Sequence, residues 1–202
     1  MDETKRTQWY NVKKNTGFGF AVGGILAILA TTASEAIYPT YNPRNDAISY
    51  LGGAGVPTEI FWDFSMVVVG CLWLWETFNI FRDSHRKVSP VLFTLTGIGF
   101  LMVGLSPWNQ FPITHYIGAN FIFLFGSLSA ISASSFTLGG MAKLSVFSGF
   151  MSLTAYISGY FGSNYILGSG GIERMIFYPI LLWSIAFGGY TLNTQELKMI
   201  KT

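Results

Sequence analysis

The residues of this chain that could carry chemistry are few, and most fall in three short segments. Arg44, Asn45, Asp46 and Ser49 lie in PRNDAISYLGGAGVP, from Pro43 to Pro57. His115 and Asn120 lie in FPITHYIGANFIF, and Glu173 and Arg174 in GGIERMIFYPILLW. Asp63 follows Glu59 by four residues, which stacks the two carboxylates on one face of a helix. Two kinds of chemistry suit these types. Arg44 and Arg174 could grip a phosphate, because a guanidinium fork matches its oxygens. His115 with Asp63 or Glu173 could move a proton.

Ser49, His115 and Asp63 also have the residue types of a nucleophilic triad, although no GxSxG frames the serine. They are the candidate catalytic residues, and Arg44, Asn45, Asp46, Ser49, His115, Glu173 and Arg174 are the candidate ligand-binding set. Each has a structural alternative. Arg44 and Asp46 could pair within a loop, Ser49 could cap a helix, and Glu173 with Arg174 could anchor a span as an ion pair. Glu76 reads as structural, snorkelling or paired with Arg82.

Other chemistry finds little footing. Cys71 is the single cysteine, so one chain builds no disulfide or thiolate metal site. There are two histidines, and His85 sits in a basic turn, which leaves no metal-ligating set. No HExxH, Walker or dinucleotide-type motif is present, so neither metal nor cofactor is expected. Nothing points to nucleic acid as a partner.

The elements that must position these residues are apolar. The chain has 202 residues, 50% hydrophobic and 11% charged. A soluble domain carries about 25% charged residues. Here the charges flank long apolar runs, the pattern of a polytopic membrane protein. The expected fold is all-α, a single transmembrane domain over 1–202 built as a six-transmembrane-helix bundle. Its spans fall at about 16–38, 59–81, 90–106, 115–138, 145–162 and 175–192. The basic flank of the first span and the small residues Ser34 and Ala36 also fit a cleavable signal peptide.

With six spans both termini share a side. That side holds Lys5, Arg6, Lys13, Lys14, Arg82, Arg86, Lys87, Lys143, Lys198 and Lys201, against Arg44 and Arg174 on the other. The bias makes the N- and C-termini cytoplasmic, so the three polar segments face outward from the cell membrane.

NPRNDAISYLGGAGVP, FPITHYIGANFIF and GGIERMIFYPILLW, in that order and spacing, resemble the prokaryotic six-span membrane family catalogued as domain of unknown function 998. The likeness runs over nearly the whole chain. That family is similar in plan to the Frag/DRAM-type membrane proteins, some of which are linked to lipid-anchor remodelling or autophagy. The resemblance marks Asn45, Ser49, Leu51 and Gly52, then His115 and Ala119, then Gly171, Glu173, Arg174 and Trp183. It implies an architecture and a hot spot and supplies no reaction.

Three functions follow as expectations. The first is binding or remodelling of lipid headgroups, with membrane lipids as partners. The second is a non-catalytic subunit or scaffold that meets a membrane protein partner or a second copy, favoured by the small-residue stripe Gly19, Gly23 and Ala27. The third is small-molecule or ion transport, for which the serine-rich SLSAISASSF of the fourth span is the best argument.

Overall fold

Long apolar runs form helices because a backbone in hydrocarbon must satisfy its own hydrogen bonds. The computed structural model describes residues 16–83, 88–162 and 166–199, and within them the chain is helical without strands. The helices are α1 (Phe18–Ile37), α2 (Glu59–Asp83), α3 (Val88–Leu105), α4 (Pro112–Ala133), α5 (Gly139–Tyr160) and α6 (Gly168–Met199). All but α5 are long and apolar enough to cross a membrane. α5 has 22 residues and is diluted by Gly, Ser and Thr. The basic segments 1–15 and 84–87, on which much of the orientation reading rests, lie outside the described residues together with His85.

Each helix packs on its sequence neighbours, and α6 closes the ring against α1. The start of α1 meets the last third of α6. A Cβ on Gly188 would stand 2.4 Å from the Gly17 carbonyl oxygen, so both ends of the described chain share one end of the bundle. The connection 38–58 covers the opposite end, called the loop end below.

The ring is filled by aromatic side chains. Phe20 meets Trp73 edge-on at 5.0 Å, and Trp183 stacks on Phe187 at 5.0 Å. Phe20, Trp73, Phe93, Trp183 and Phe100 are fully buried, whereas Ile60, Phe64, Phe78, Phe147 and Leu182 point outward. An apolar exterior around a packed interior is what hydrocarbon solvates. The serines of α4 serve packing. The hydroxyls of Ser127 and of Ser152 on α5 share a hydrogen bond at 2.7 Å, and Ser152 lies 2.7 Å from the Ile176 carbonyl on α6. Ser132, Ser134 and Ser135 bond back to carbonyls of their own segment.

Three readings change here. The small-residue stripe of α1 is spent inside the chain, since Gly19 faces the Leu72 carbonyl and Gly23 faces Trp73 on α2. Glu76 is fully buried and accepts from the amides of Gly17 at 2.9 Å and Gly19 at 2.6 Å. It therefore caps α1, whose first amides have no partner of their own within the helix. The third change is in boundaries. α5 starts at Gly139, so Lys143 is helical rather than a link, and α4 runs from Pro112 to Ala133 rather than 115–138. α6 starts at Gly168 instead of 175, because the glycine run read as loop is two further helical turns.

Those early turns of α6 need their glycines. The Gly170 and Gly171 amides donate to the Arg44 carbonyl at 3.0 and 3.3 Å, which brings the 38–58 connection onto the helix. A Cβ on Gly170 would stand 2.1 Å from the Asp46 carbonyl oxygen and 2.5 Å from that of Pro43. Gly170→Ala is expected to destabilise the fold by about 1–3 kcal/mol, the usual cost of overpacking. Gly189 on the same helix has no atom within 4 Å of such a Cβ. Gly189→Ala should be neutral or stabilise by ~0.5–1 kcal/mol. Thermal unfolding of the two purified variants beside the parent tests the contrast.

Candidate functional site

The loop end is assembled around Arg174, in the second turn of α6. Its guanidinium donates to Glu35 at the end of α1 at 2.5 Å, to the Tyr41 hydroxyl at 2.7 Å, and to the carbonyls of Pro43 at 2.7 Å and Gly170 at 2.8 Å. Burial pushes the Tyr41 phenol up from its ordinary value, with Arg174 opposing it, so the ring keeps its proton. That proton goes to the Ala47 carbonyl at 3.0 Å. Through these bonds Arg174 holds the connection 38–58, at Tyr41 and Pro43, to α1 and α6.

The rest of the connection is tied by short local bonds. The Asp46 carboxylate accepts the Asn42 amide at 2.8 Å, and the Asn42 side chain accepts the Arg44 amide at 3.0 Å, closing an Asx turn. Asn45 takes the Ser169 hydroxyl on its carbonyl. Asn109 exchanges two bonds with Ala54, at 2.7 and 3.0 Å, fastening the turn between α3 and α4. Glu173 accepts the Ile48 amide and faces that of Ser49, capping the short 3-10 helix Ile48–Gly52.

Beneath this lid lies a cavity of about 260 Å³, between Tyr50 and Trp108 above and α4, α5 and α6 at the sides. A smaller one of about 20 Å³ lies next to it, bounded by Trp62, Ile122 and Phe177. Ser49, His115, Ala119, Phe123 and Glu173 line both. The smaller space is enough for one water molecule.

His115 is the chemical centre of this arrangement. Its side chain is 2% exposed. Nδ1 lies 2.7 Å from the Ser106 carbonyl oxygen, and Nε2 has no hydrogen-bond partner among the described residues. A carbonyl oxygen only accepts, so Nδ1 carries a proton; a ring this buried, with no carboxylate bonded to it among the described residues, is neutral and presents the Nε2 lone pair. A buried polar nitrogen left without a partner costs about 1–3 kcal/mol, which makes it a site where a ligand or water is expected to bind.

The structure brings Ser49, His115 and Glu173 together and separates them from the other candidates. Asp63 is buried, with Oδ1 unpartnered among the described residues beneath Gly52, and lines neither cavity. The position a triad's acid would take on Nδ1 belongs to the Ser106 carbonyl, so Ser49, His115 and Asp63 do not assemble in triad order. The Arg44 side chain is exposed, and its contribution is the carbonyl that receives Gly170 and Gly171. Neither arginine lines the cavity.

Two functional features lie beyond what residue types reveal. Tyr156 on α5 donates to the Asn120 side chain on α4 at the cavity wall. Between the halves of α4 lies a π-helical turn, Phe121–Phe125. Such turns recur at functional sites, and no composition announces them. The other residues marked by the resemblance are placed by packing. Leu51 is fully buried, Gly52 abuts Asp63 and Trp62, and Trp183 donates to Ser145 at 2.9 Å.

A ring of helices, five of them long and apolar enough to cross a membrane, with an apolar exterior defines a multi-pass membrane protein. The chain belongs to the family described as protein of unknown function DUF998, whose family model matches residues 21–190. Comparison with curated proteins and with solved structures finds no match.

Proposed function

We propose that this chain is a six-span protein of the cell membrane, with cytoplasmic termini, that binds the headgroup of a membrane lipid in the cavity beside His115. The observation that carries the reading is the Nε2 nitrogen of His115, buried and unpartnered on the wall of a 260 Å³ cavity. The ten basic residues assigned to the terminal side put the cavity at the outer face. α5 completes the count of spans as the one whose serines are bonded inside the bundle.

Recognition then rests on His115, Ser49 and Glu173, with Arg44, Asn45, Asp46 and Arg174 building the lid. The scaffold reading has less support, since the Gly19 and Gly23 stripe faces α2. Transport has less as well, since the α4 serines are engaged in packing.

The test is the lipid that accompanies the full chain through purification in mild detergent, read by mass spectrometry for the parent and His115→Phe. The parent should retain a lipid that the variant loses by about tenfold, equivalent to one hydrogen bond of ~1.4 kcal/mol. Equal lipid content in two equally folded proteins would remove the reading.

A further inference from the structure

We infer that the ligand of this cavity is a lipid whose headgroup ends in a hydrogen-bond donor, a hydroxyl or an ammonium, and that it enters sideways from the bilayer between α4 and α5. The inference rests on the headgroup-binding reading above and adds the class of headgroup and its route.

The class follows from what the walls can accept. Nδ1 of His115 is spent on Ser106, so the neutral ring offers a lone pair and no proton. Glu173 is an acceptor whose two oxygens retain capacity beyond the Ile48 and Ser49 amides. Among the described residues, no lysine or arginine lines the space. Tyr50, Trp108, Tyr116 and Tyr160 complete the wall with aromatic surface, which suits a sugar ring or a cation. A terminal phosphate would meet the hydroxyls of Ser49 and the tyrosines, but also a carboxylate and a lone pair, with no cation among the described lining residues to neutralise it. Arg174 has four of its donors engaged with Glu35, Tyr41, Pro43 and Gly170.

The route follows from how α4 and α5 run. Their inner halves are in close contact: a Cβ on Gly149 would stand 2.6 Å from the Ser127 carbonyl oxygen. After the π-helical turn at Phe121–Phe125 the helices part, and Pro112–Asn120 has hardly any approach to α5. Across the gap the Asn120 and Tyr156 side chains form a single hydrogen bond. Tyr116 and Tyr160 flank it, 60% and 80% exposed, on the apolar exterior. At the loop end the stacked rings of Tyr50 and Trp108, 4.4 Å apart, line the cavity. Among the described residues, the bilayer side is crossed by the Asn120–Tyr156 bond and by the Phe123 and Tyr156 rings, 6.3 Å apart.

The experiment places the full chain in nanodiscs of phosphatidylcholine doped with phosphatidylethanolamine, a glucosyl diacylglycerol or phosphatidic acid, and counts retained lipids by native mass spectrometry. Free ethanolamine and glucose are offered separately as soluble competitors. Phosphatidylethanolamine or the glucosyl lipid should be retained at least about tenfold over phosphatidic acid. Neither soluble competitor should displace it. His115→Phe should abolish that preference, and Ala119→Leu, which fills the cavity from the next helical turn and keeps the histidine, should do the same if His115→Phe fails to fold. Tyr156→Phe should leave the preference intact and speed lipid exchange several-fold.

His115-dependent retention of phosphatidic acid, or displacement by ethanolamine or glucose alone, would overturn this inference while leaving headgroup-type binding standing. Unchanged exchange in Tyr156→Phe would overturn the lateral route. Retention indifferent to His115 and Ala119 would overturn both readings.

Discussion

Arg174→Lys should destabilise this protein by about 3 kcal/mol, nearly as much as Arg174→Ala, and should free the 38–58 connection for proteolysis. A lysine keeps the charge and loses the fork. Arg174 divides its donors between Glu35, the Tyr41 hydroxyl and the carbonyls of Pro43 and Gly170. An ammonium on a flexible stem cannot reproduce that spread. Both partners of the ion pair are largely buried, with side chains 14% and 19% exposed, so removing one leaves the other charge poorly solvated. Breaking such a pair costs about 3–5 kcal/mol, and the residual exposure here places the expectation at the lower edge. Replacing Glu35 and Arg174 together, by Gln and Met, should cost ~1–2 kcal/mol less than Arg174→Met alone. Chemical or thermal unfolding in one detergent, with limited proteolysis of the connection, provides the readout. Full stability of Arg174→Lys would mean that charge alone, without geometry, holds the lid.

The second large effect lies at the other end of the bundle. Glu76→Gln should lower stability by about 2–3 kcal/mol although the side chains have nearly the same shape. The carboxylate receives two amides at the start of α1, at 2.9 and 2.6 Å, where the helix also presents its positive pole. A carboxamide has one accepting oxygen and turns an NH2 donor toward the other amide. Bonds to a charged acceptor are worth ~1.5–3 kcal/mol, and the orphaned amide adds its own penalty. Hydrogen exchange should show faster exchange at Gly17 and Gly19, with the α2–α3 contact still protected. A variant within ~0.5 kcal/mol of the parent would show that water satisfies those amides equally well.

The sequence makes the helices legible and their partners much less so. Runs such as EIFWDFSMVVVGCLWLW leave a backbone in hydrocarbon no alternative to a helix. The start of α6 is hidden because GSGG has poor intrinsic helix preference. Its turns form where the Arg44 carbonyl takes up the free amides, a contact more than a hundred residues away in the chain. Glu76 and Arg174 are visible as residues that require partners. Their actual partners, two backbone amides and Glu35, are set by how the ring closes.

The site divides in the same way. Ser49, His115 and Glu173 can be grouped from sequence because the span count puts them on one side of the bundle, and the fold brings them to one cavity. Arg44 has the right type for an anion site and acts through its carbonyl instead, which no residue-type argument distinguishes. Asp63 is four residues from Glu59 as the helix requires, yet it packs beneath Gly52 away from His115's cavity.

In the proposed reading His115 completes its hydrogen bonding with a lipid headgroup. A density map of the full chain in lipid nanodiscs should show non-protein density within hydrogen-bond distance of His115 Nε2, continuous with acyl-chain density passing between Asn120 and Tyr156. A collapsed cavity, with Nε2 bonded to a side chain of the protein itself, would contradict it.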